Sequence, residues 1–342
     1  LLSQLRMDLR AVLLSPLFWL VVLLTVISTF SEAKGTVARI MNLPIHPVTS
    51  HMLGFFRVAL YQFALVVIIF YSALLMHRER DHRVHEILGA SPYPDWVMLV
   101  SKVLTLCSVI LLLLLTSMLV CIGWQAMAGY YNFEIGVYLQ GMFVNTGFHF
   151  CMLAVLACVL QTLVPGKWSG MLVVFAVLVV LIALPPFGWE HVLYGFRIPY
   201  VTYTDMNGFG HFLQSVYALI VYWGAFCVLL MVARHLLLPR GTWANVWARM
   251  RDAGTRLTRT VKITAGMAAT VFAVAGGWIY YNTNILNEYQ TAKSRLDKRA
   301  DYERRYAATY KERPIASFVD VAMQVDLYPH EGRLGWRGRG RL

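Results

Sequence analysis

The stretch HRERDHRVHEILGASPYPD, residues 77–95, is a charged segment between two long apolar runs. Six charged side chains lie within nine residues, and two prolines then bias the backbone away from helix. A charge at the middle of a bilayer costs about 3 kcal/mol on insertion scales, so this segment cannot lie in hydrocarbon. We therefore expect it at a water interface, held there by membrane spans on both sides, 55–76 and 97–122.

The composition of the whole chain is that of a membrane protein. Of its 342 residues, 58% are hydrophobic and only 14% are charged, whereas a soluble domain has about 25% charged residues. Within lipid a helix satisfies its own backbone polar groups, and about 20 apolar residues cross the hydrocarbon. The sequence therefore predicts an all-α membrane protein, a polytopic bundle of about seven transmembrane helices. The predicted spans are 11–30, 55–76, 97–122, 138–164, 170–184, 211–232 and 263–281.

The distribution of apolar and polar residues divides the chain into four parts. Residues 1–10 predict an amphipathic interfacial helix, and residues 11–281 form the transmembrane domain. Residues 282–313 predict an extracytoplasmic helical stalk with an Asp301–Arg305 pair. Residues 314–342 predict the start of a truncated β domain, because apolar and polar side chains alternate over 317–328. The last residues lose this alternation, so we expect them to be unstructured and the sequence to be part of a longer protein.

The basic residues predict the orientation of the spans. The segments on one side of the predicted membrane carry thirteen Lys and Arg residues, and those on the other side carry three. Because short basic loops stay in the cytoplasm, the N-terminus is predicted to be cytoplasmic and the tail extracytoplasmic. The net charge of +12 then reflects span ends that meet anionic lipid, so we expect no nucleic acid partner.

The sequence lacks the common catalytic signatures. It contains no G-x-x-x-x-G-K-[ST] loop for nucleotide phosphates. His85-Glu86 and His330-Glu331 each lack the second histidine of a zinc peptidase. The five cysteines all lie in predicted spans without a C-x-x-C pair, which indicates packing. We therefore expect no enzyme activity, no metal and no cofactor in this chain.

Two weaker site candidates remain in the sequence. A loop with Glu190, His191, Asp205 and His211 could be drawn as a metal site, but its spacing matches no common ligand pattern, and we favour interface polar residues and a helix cap. His149 lies at membrane depth, where a functional role and a hydrogen bond to a neighbouring helix are equally plausible. No predicted span carries an acidic residue in its middle, which argues against an ion-coupled carrier.

With these features, the chain resembles the permease subunit of type-2 ABC transporters. In that family an amphipathic helix precedes the spans, and the segment between the second and third spans docks on a separate ATPase. The matching residues are Arg80-Asp81, Glu86, Ala90, Pro92 and Ser101-Lys102. The resemblance implies a coupling role for Arg78, Arg80, Asp81, Glu86 and Pro92.

A sharper resemblance covers nearly the whole chain. Its densest matches are RERDHRVHEILGASPYPDW (78–96), YTDMNGFGHF (203–212), IYYNTNILNEYQTAKSRLDKRADYERRY (279–306) and VDLYP (325–329). These segments are similar to large bacterial inner-membrane proteins that fuse a duplicated ABC permease to an aminopeptidase N-like metallopeptidase. The resemblance implies that the chain is the second permease half followed by the first peptidase strand. Zinc would belong to the missing domain, and ATP to a partner subunit.

Two functions follow as expectations. In the first, the chain is a permease half that couples ATP hydrolysis by a separate ATPase to substrate export or translocation, with the other permease half or a homodimer mate and the lipid bilayer as further partners. In the alternative, the spans anchor an extracytoplasmic zinc aminopeptidase. The substrate cannot be read from the residues.

Overall fold

The structure is a computed structural model that describes residues 1–37, 46–84, 95–237, 250–251, 253–311, 313, 317–328 and 333–341. Helices dominate it, and one short antiparallel sheet follows them. The helices are α1 (Leu2–Leu13), α2 (Pro16–Val37), α3 (Thr49–Asp81), α4 (Asp95–Met127), α5 (Ile135–Leu163), α6 (Lys167–Ala183), α7 (Phe212–Leu237), α8 (Arg259–Tyr280) and α9 (Ala292–Tyr310), and the strands are β1 (Asp320–Tyr328) and β2 (Arg333–Arg341).

The predicted all-α polytopic class is confirmed. Within the part of the chain that the structure describes, six helices contain a segment long and apolar enough to cross a membrane, namely α2, α3, α4, α5, α7 and α8. The predicted span 170–184 corresponds to α6, a shorter apolar helix of 17 residues. At 1.5 Å per residue such a helix is about 25 Å long, at the lower limit for a span.

The first predicted span begins later than expected. Residues 11–13 belong to α1, and α2 begins at Pro16. Proline lacks a backbone N–H and its ring clashes with the preceding turn, so it fits the first turn of a helix and ends the one before it. Helix α1 therefore ends three residues beyond the end predicted at residue 10.

The bundle is built around α3, which packs against α2, α4, α5 and α6. Large side chains such as Phe56, Tyr71 and Phe150 are almost completely buried along this helix and its neighbours. At the edge of the bundle α7 packs on α5, and α8 packs on α7. Much of the α8 surface is exposed, as expected for a helix that faces lipid.

Helix α6 runs antiparallel beside α3, so the start of α6 lies near the end of α3 and the end of α6 lies near the start of α3. Lys167, at the start of α6, lies 3.9 Å from Asp81 at the end of α3. Leu181 and Ile182, near the end of α6, line the same cavity as Arg57 near the start of α3. The turn between α5 and α6 contains Pro165, whose carbonyl accepts a hydrogen bond from Arg80. This arrangement is what a seventh span would have.

Helix α5 contains a wide segment that the sequence did not predict. Residues Leu139–Gly147 form a π-helix, and within it the side-chain hydroxyl of Thr146 donates to the carbonyl of Gly141 at 3.0 Å. Buried Tyr138, one residue before it, donates from its hydroxyl to Gln125 at 2.9 Å. The Gln125 amide in turn donates to the Pro47 carbonyl at 2.7 Å. These bonds join α5 to α4 and to the segment that leads into α3.

The residues from Gln290 onward form a separate compact unit. Helix α9 begins with Thr291 as its cap, and its tyrosines 302, 306 and 310 lie along one face as the sequence indicates. The described contact of Asp301 is with Arg304 at 3.0 Å, one residue earlier than predicted.

A two-stranded hairpin completes this second unit. The predicted strand over 317–328 is found as β1, over Asp320–Tyr328. The expectation that the last residues are unstructured is wrong, because Arg333–Arg341 pairs with β1 as β2. Alternation of apolar and polar side chains predicts a strand that has one buried face. Both faces of this strand pair are largely exposed, so the sequence of β2 did not need to alternate.

Candidate functional site

Helix α1 is joined to the bundle through one buried carboxylate, Asp8. Its Oδ1 accepts a hydrogen bond from Arg78 Nη1 of α3 at 3.0 Å, and its Oδ2 accepts one from Ser101 Oγ of α4 at 3.3 Å. Gln4, one turn earlier in α1, donates from its amide to the same carboxylate. Asp8 has no solvent-exposed surface. Helix α1 is thus held to the end of α3 and the start of α4 by an ion pair and a hydrogen bond.

Lys102 forms a second link between α3 and α4 at the same end. It is 2% exposed, and its ammonium group donates to the Leu75 carbonyl at 2.7 Å. It also forms an ion pair with Glu79, whose side chain is 13% exposed. A buried ammonium needs such partners, because leaving it unpaired costs several kcal/mol. Lys102 therefore fixes the last turn of α3 against α4.

The two links share one electrostatic environment. Burial raises the pKa of the Asp8 carboxyl above its ordinary value, while Lys102, the Gln4 amide and Arg78 oppose this shift. We interpret Asp8, Arg78, Glu79, Ser101 and Lys102 as one polar cluster, named here the α1 clamp.

We expect the raised pKa of Asp8 to be visible in the pH dependence of stability. The folded protein holds this proton more tightly than the unfolded chain does, so the contribution of Asp8 is complete below the ordinary pKa of about 3.9 and is lost as pH rises through the raised pKa. The thermal midpoint of the protein minus that of Asp8→Asn should therefore fall as pH rises. A difference that stays constant with pH would contradict this, and the exposed Asp81→Asn controls for the lost charge.

A hydrogen-bonded chain of three side chains lies beside the α1 clamp. Buried His77 is 3.2 Å from Gln161 Oε1, and the Gln161 amide donates to the Ser72 hydroxyl at 3.4 Å. Gly170 of α6 leaves room for this chain, because a Cβ there would lie 1.9 Å from Gln161 Oε1. The close approach of α6 to α5 and α3 at this point therefore requires glycine.

Helix α3 ends just beyond these contacts in a Schellman-type turn. The Val84 N–H donates to the Glu79 carbonyl and the Arg83 N–H donates to the Arg80 carbonyl, both at 2.9 Å. Arg83 adopts φ 56°, a left-handed conformation that usually falls to glycine. Residues 81–84 of this turn are exposed.

The structure brings three of the five predicted coupling residues together. Arg78 belongs to the α1 clamp, Arg80 donates to the turn between α5 and α6, and Asp81 lies beside Lys167. Glu86 and Pro92 lie outside the described residues. The start of the charged segment is helical, because α3 continues through Asp81. The helix is therefore longer than the apolar run 55–76 indicated.

An open groove of about 350 Å³ lies at the edge of the α1 clamp. Its wall combines charged and apolar side chains from the start of α1, the end of α3 and the start of α4. The lining residues are Gln4, Met7, Arg78, Glu79, His82, Val84 and Met98. A mixed surface of this kind, with exposed Met7 and Val84, can accept a protein side chain.

Sequence reasoning missed several parts of this site. Asp8 was passed over because a single acid in a basic amphipathic helix reads as a solvated side chain. Gln161 and Gly170 gave no signal, because nothing in their spacing relates them to His77. Lys102 was named only for its place at the start of a span, and a lysine inside an apolar run is a signal that could have identified it.

The other sequence candidates have different surroundings. His191 Nε2 lies 3.1 Å from both Thr283 Oγ1 and Asn284 Oδ1, so it holds its loop against the π-helical turn Tyr281–Ile285 that follows α8. Among the residues that the structure describes, no cluster of three or more His, Cys, Asp or Glu side chains could hold a metal ion. The five cysteines are free thiols.

No protein-family model, curated protein or solved structure matches this chain.

Proposed function

We propose that this chain is the transmembrane permease half of an ABC transporter. In this proposal a separate ATPase binds the charged end of α3, and ATP-driven closure of the ATPase moves the spans to export or translocate a substrate. The chain itself hydrolyses nothing and holds no cofactor. Its further partners are the bilayer and a second permease half or a second copy of this chain.

The observation that carries the proposal is the α1 clamp. A force applied at residues 81–84 passes directly to α1 through Arg78 and Asp8, and to α4 through Glu79 and Lys102. Both contacts join charged groups, of which Asp8 and Lys102 are buried, and a buried charge loses its partner only at a high cost in free energy. The three helices are therefore expected to move as one body when a partner pulls on the turn after α3.

The groove supports the same proposal. It lies where the coupling segment leaves α3, and its lining gives a partner both an apolar contact and charges of both signs. The excess of basic residues in the segments on this side, together with the α6 arrangement, supports a cytoplasmic placement of the groove in a bacterial inner membrane. The N-terminus would then be cytoplasmic and the tail extracytoplasmic.

A single substitution in the groove tests the partnership. We expect Val84→Asp to weaken binding of the proposed partner ATPase at least tenfold, because a carboxylate would be desolvated in the contact. Val84 is 39% exposed and lies after the helix, so the bundle should still fold. The measurement is the dissociation constant of the purified ATPase for the detergent-solubilised chain.

Met206→Asp is the matched control. Met206 is 100% exposed in the loop between α6 and α7, on the opposite side in the proposed topology. Its replacement should leave ATPase binding unchanged. If Val84→Asp and the unaltered chain bind the ATPase equally well, the groove is not the docking surface.

The second candidate function is the anchor of an extracytoplasmic zinc aminopeptidase. The separate unit after Gln290, with its helix and hairpin, favours it as a connector between spans and a further domain. Aminopeptidase activity of a longer chain that persists without any ATPase would support this function over the first.

A further inference from the structure

A second cavity, of about 230 Å³, lies far from the α1 clamp, between the first turns of α3, the middle of α5 and the end of α6. Two arginines line it, Arg57 of α3 and Arg197 of the loop that follows α6. The rest of its wall is largely apolar, with Leu153 of α5 and Leu178, Leu181 and Ile182 of α6. Two cations thus face a small space that is otherwise apolar.

Neither guanidinium is neutralised within the part of the chain that the structure describes, where no carboxylate lies within 4.0 Å of Arg57 or Arg197. Arg57 lies 4.6 Å above the ring of Tyr200, and Arg197 donates to the Glu190 backbone carbonyl at 3.4 Å. These contacts orient the two groups without cancelling their charge. Two like charges beside one low-dielectric space attract an anion strongly.

The backbone around Arg197 is specialised for its position. Phe196 adopts φ 45°, a left-handed conformation that is uncommon for a bulky residue. Its ring is buried against Trp223 at 4.9 Å and Phe226 at 5.9 Å between centroids, which holds the turn in place. Gly195 makes room for the arginine, because a Cβ there would lie 2.8 Å from Arg197 Nε. Strained backbone of this kind is concentrated at binding sites.

A third polar group lines the same cavity. The Nδ1 atom of His149 is buried and has no hydrogen-bond partner among the described residues. The ring stacks on Tyr61, with 6.3 Å between centroids and an interplanar angle of 19°. A buried nitrogen of this kind is normally satisfied, so a ligand oxygen or hydroxyl in the cavity would complete its bonding.

We propose that this cavity binds an anionic amphiphile through its phosphate or carboxylate head group. Arginine pairs bind such groups with parallel N–H···O bonds, and His149 adds one more polar contact. The leucines of α5 and α6 would contact the start of the alkyl chain. Ile182 is 58% exposed, so the apolar wall continues onto the outer surface of α6, along which the rest of the chain can leave. This binding does not depend on transport or on an ATPase.

The test uses the purified full chain in a neutral maltoside detergent, with dodecyl phosphate and dodecanoate as probes. We expect at least one of the two to bind saturably and to raise the thermal midpoint, and the one that binds identifies the head group. Dodecanol, which lacks the charge, and inorganic phosphate, which lacks the tail, should each bind at least tenfold more weakly. Equal binding of inorganic phosphate would overturn the amphiphile assignment.

Two variants separate a built site from general electrostatic attraction. Arg57→Gln/Arg197→Gln should weaken probe binding at least tenfold. The control Arg259→Gln/Lys262→Gln removes two exposed basic residues at the start of α8 and should bind as the unaltered chain does. Equal losses in both double variants would overturn the proposal, as would no loss in the first.

Gly195→Ala keeps every charge and displaces Arg197, so it remains informative if the double variant fails to fold. We expect it to weaken binding at least threefold, and unchanged affinity would contradict the role given to Gly195 in placing Arg197.

Discussion

Replacing Lys102 by methionine is expected to lower the free energy of unfolding by about 3–5 kcal/mol, the usual cost of removing one partner from a buried ion pair. The substitution leaves the Glu79 carboxylate, only 13% exposed, without its ammonium partner, and removes the Lys102 hydrogen bond to the Leu75 carbonyl. Methionine has a similar length, so loss of volume contributes little. The measurement is thermal or denaturant unfolding of the protein in detergent.

Two further variants show whether the charge causes the effect. Lys102→Met/Glu79→Gln removes both charges and should recover most of the lost stability. Lys167→Met breaks a pair with Asp81 that is long, at 3.9 Å, and partly exposed, so its cost should be about 1 kcal/mol or less. A Lys102→Met cost as small as that of Lys167→Met would mean that the α1 clamp does not hold α3 against α4.

Exchanging the charges at Arg80 and Glu86 is expected to uncouple ATP hydrolysis from transport. Arg80 lies in the last turn of α3, and Glu86 lies six residues later in the segment outside the described residues. Arg80→Glu/Glu86→Arg keeps the net charge but reverses the pattern that a partner would recognise. In vesicles that contain the chain and its ATPase, transport per ATP hydrolysed should fall at least tenfold, with the amount of folded protein unchanged.

The control for this exchange lies in the tail. Arg299→Glu/Glu303→Arg makes the same change on exposed residues of α9 and should leave coupling intact. If ATP turnover and transport in the Arg80/Glu86 variant match those of the unaltered chain, the coupling role proposed for the end of α3 is wrong.

The spans could be predicted because lipid imposes a length and a composition on them. The runs around Tyr71 in α3 and Leu113 in α4 are apolar on all sides, which only a membrane or a large core allows. The same length requirement puts α6, with 17 residues, near the lower limit for a span. Helix ends were less accurate, because charged turns such as the one at Asp81 continue a helix beyond the hydrocarbon without changing its backbone bonds.

The site could be predicted only where the chain is locally charged. Arg78, Arg80 and Asp81 are neighbours in sequence, so their clustering at one end of α3 needed no tertiary information. The partners of Arg78 and Lys102 lie 70 and 23 residues away along the chain, at Asp8 and Glu79. Pairings at such separations depend on which face each helix turns toward its neighbours. The composition of a span does not determine that face.

The cavity at Arg57 shows the same limit. Arg197 read as a single basic residue in an aromatic loop, and His149 as an isolated polar group in a span. Only the fold places both beside Arg57, through a left-handed Phe196 that no propensity predicts. The prediction for the last residues of the chain was wrong for another reason. Strand β2 is specified by its pairing with β1 rather than by its own side-chain pattern.

The most direct test of the proposed coupling is the sidedness of the turn after α3. Single cysteines introduced at exposed positions Arg83 and Met206, in a variant without the five native cysteines, can be labelled with a membrane-impermeant thiol reagent. The proposal predicts that intact cells label position 206 but not position 83, and that inverted membrane vesicles label position 83 but not position 206. Labelling of position 83 from outside intact cells would contradict it.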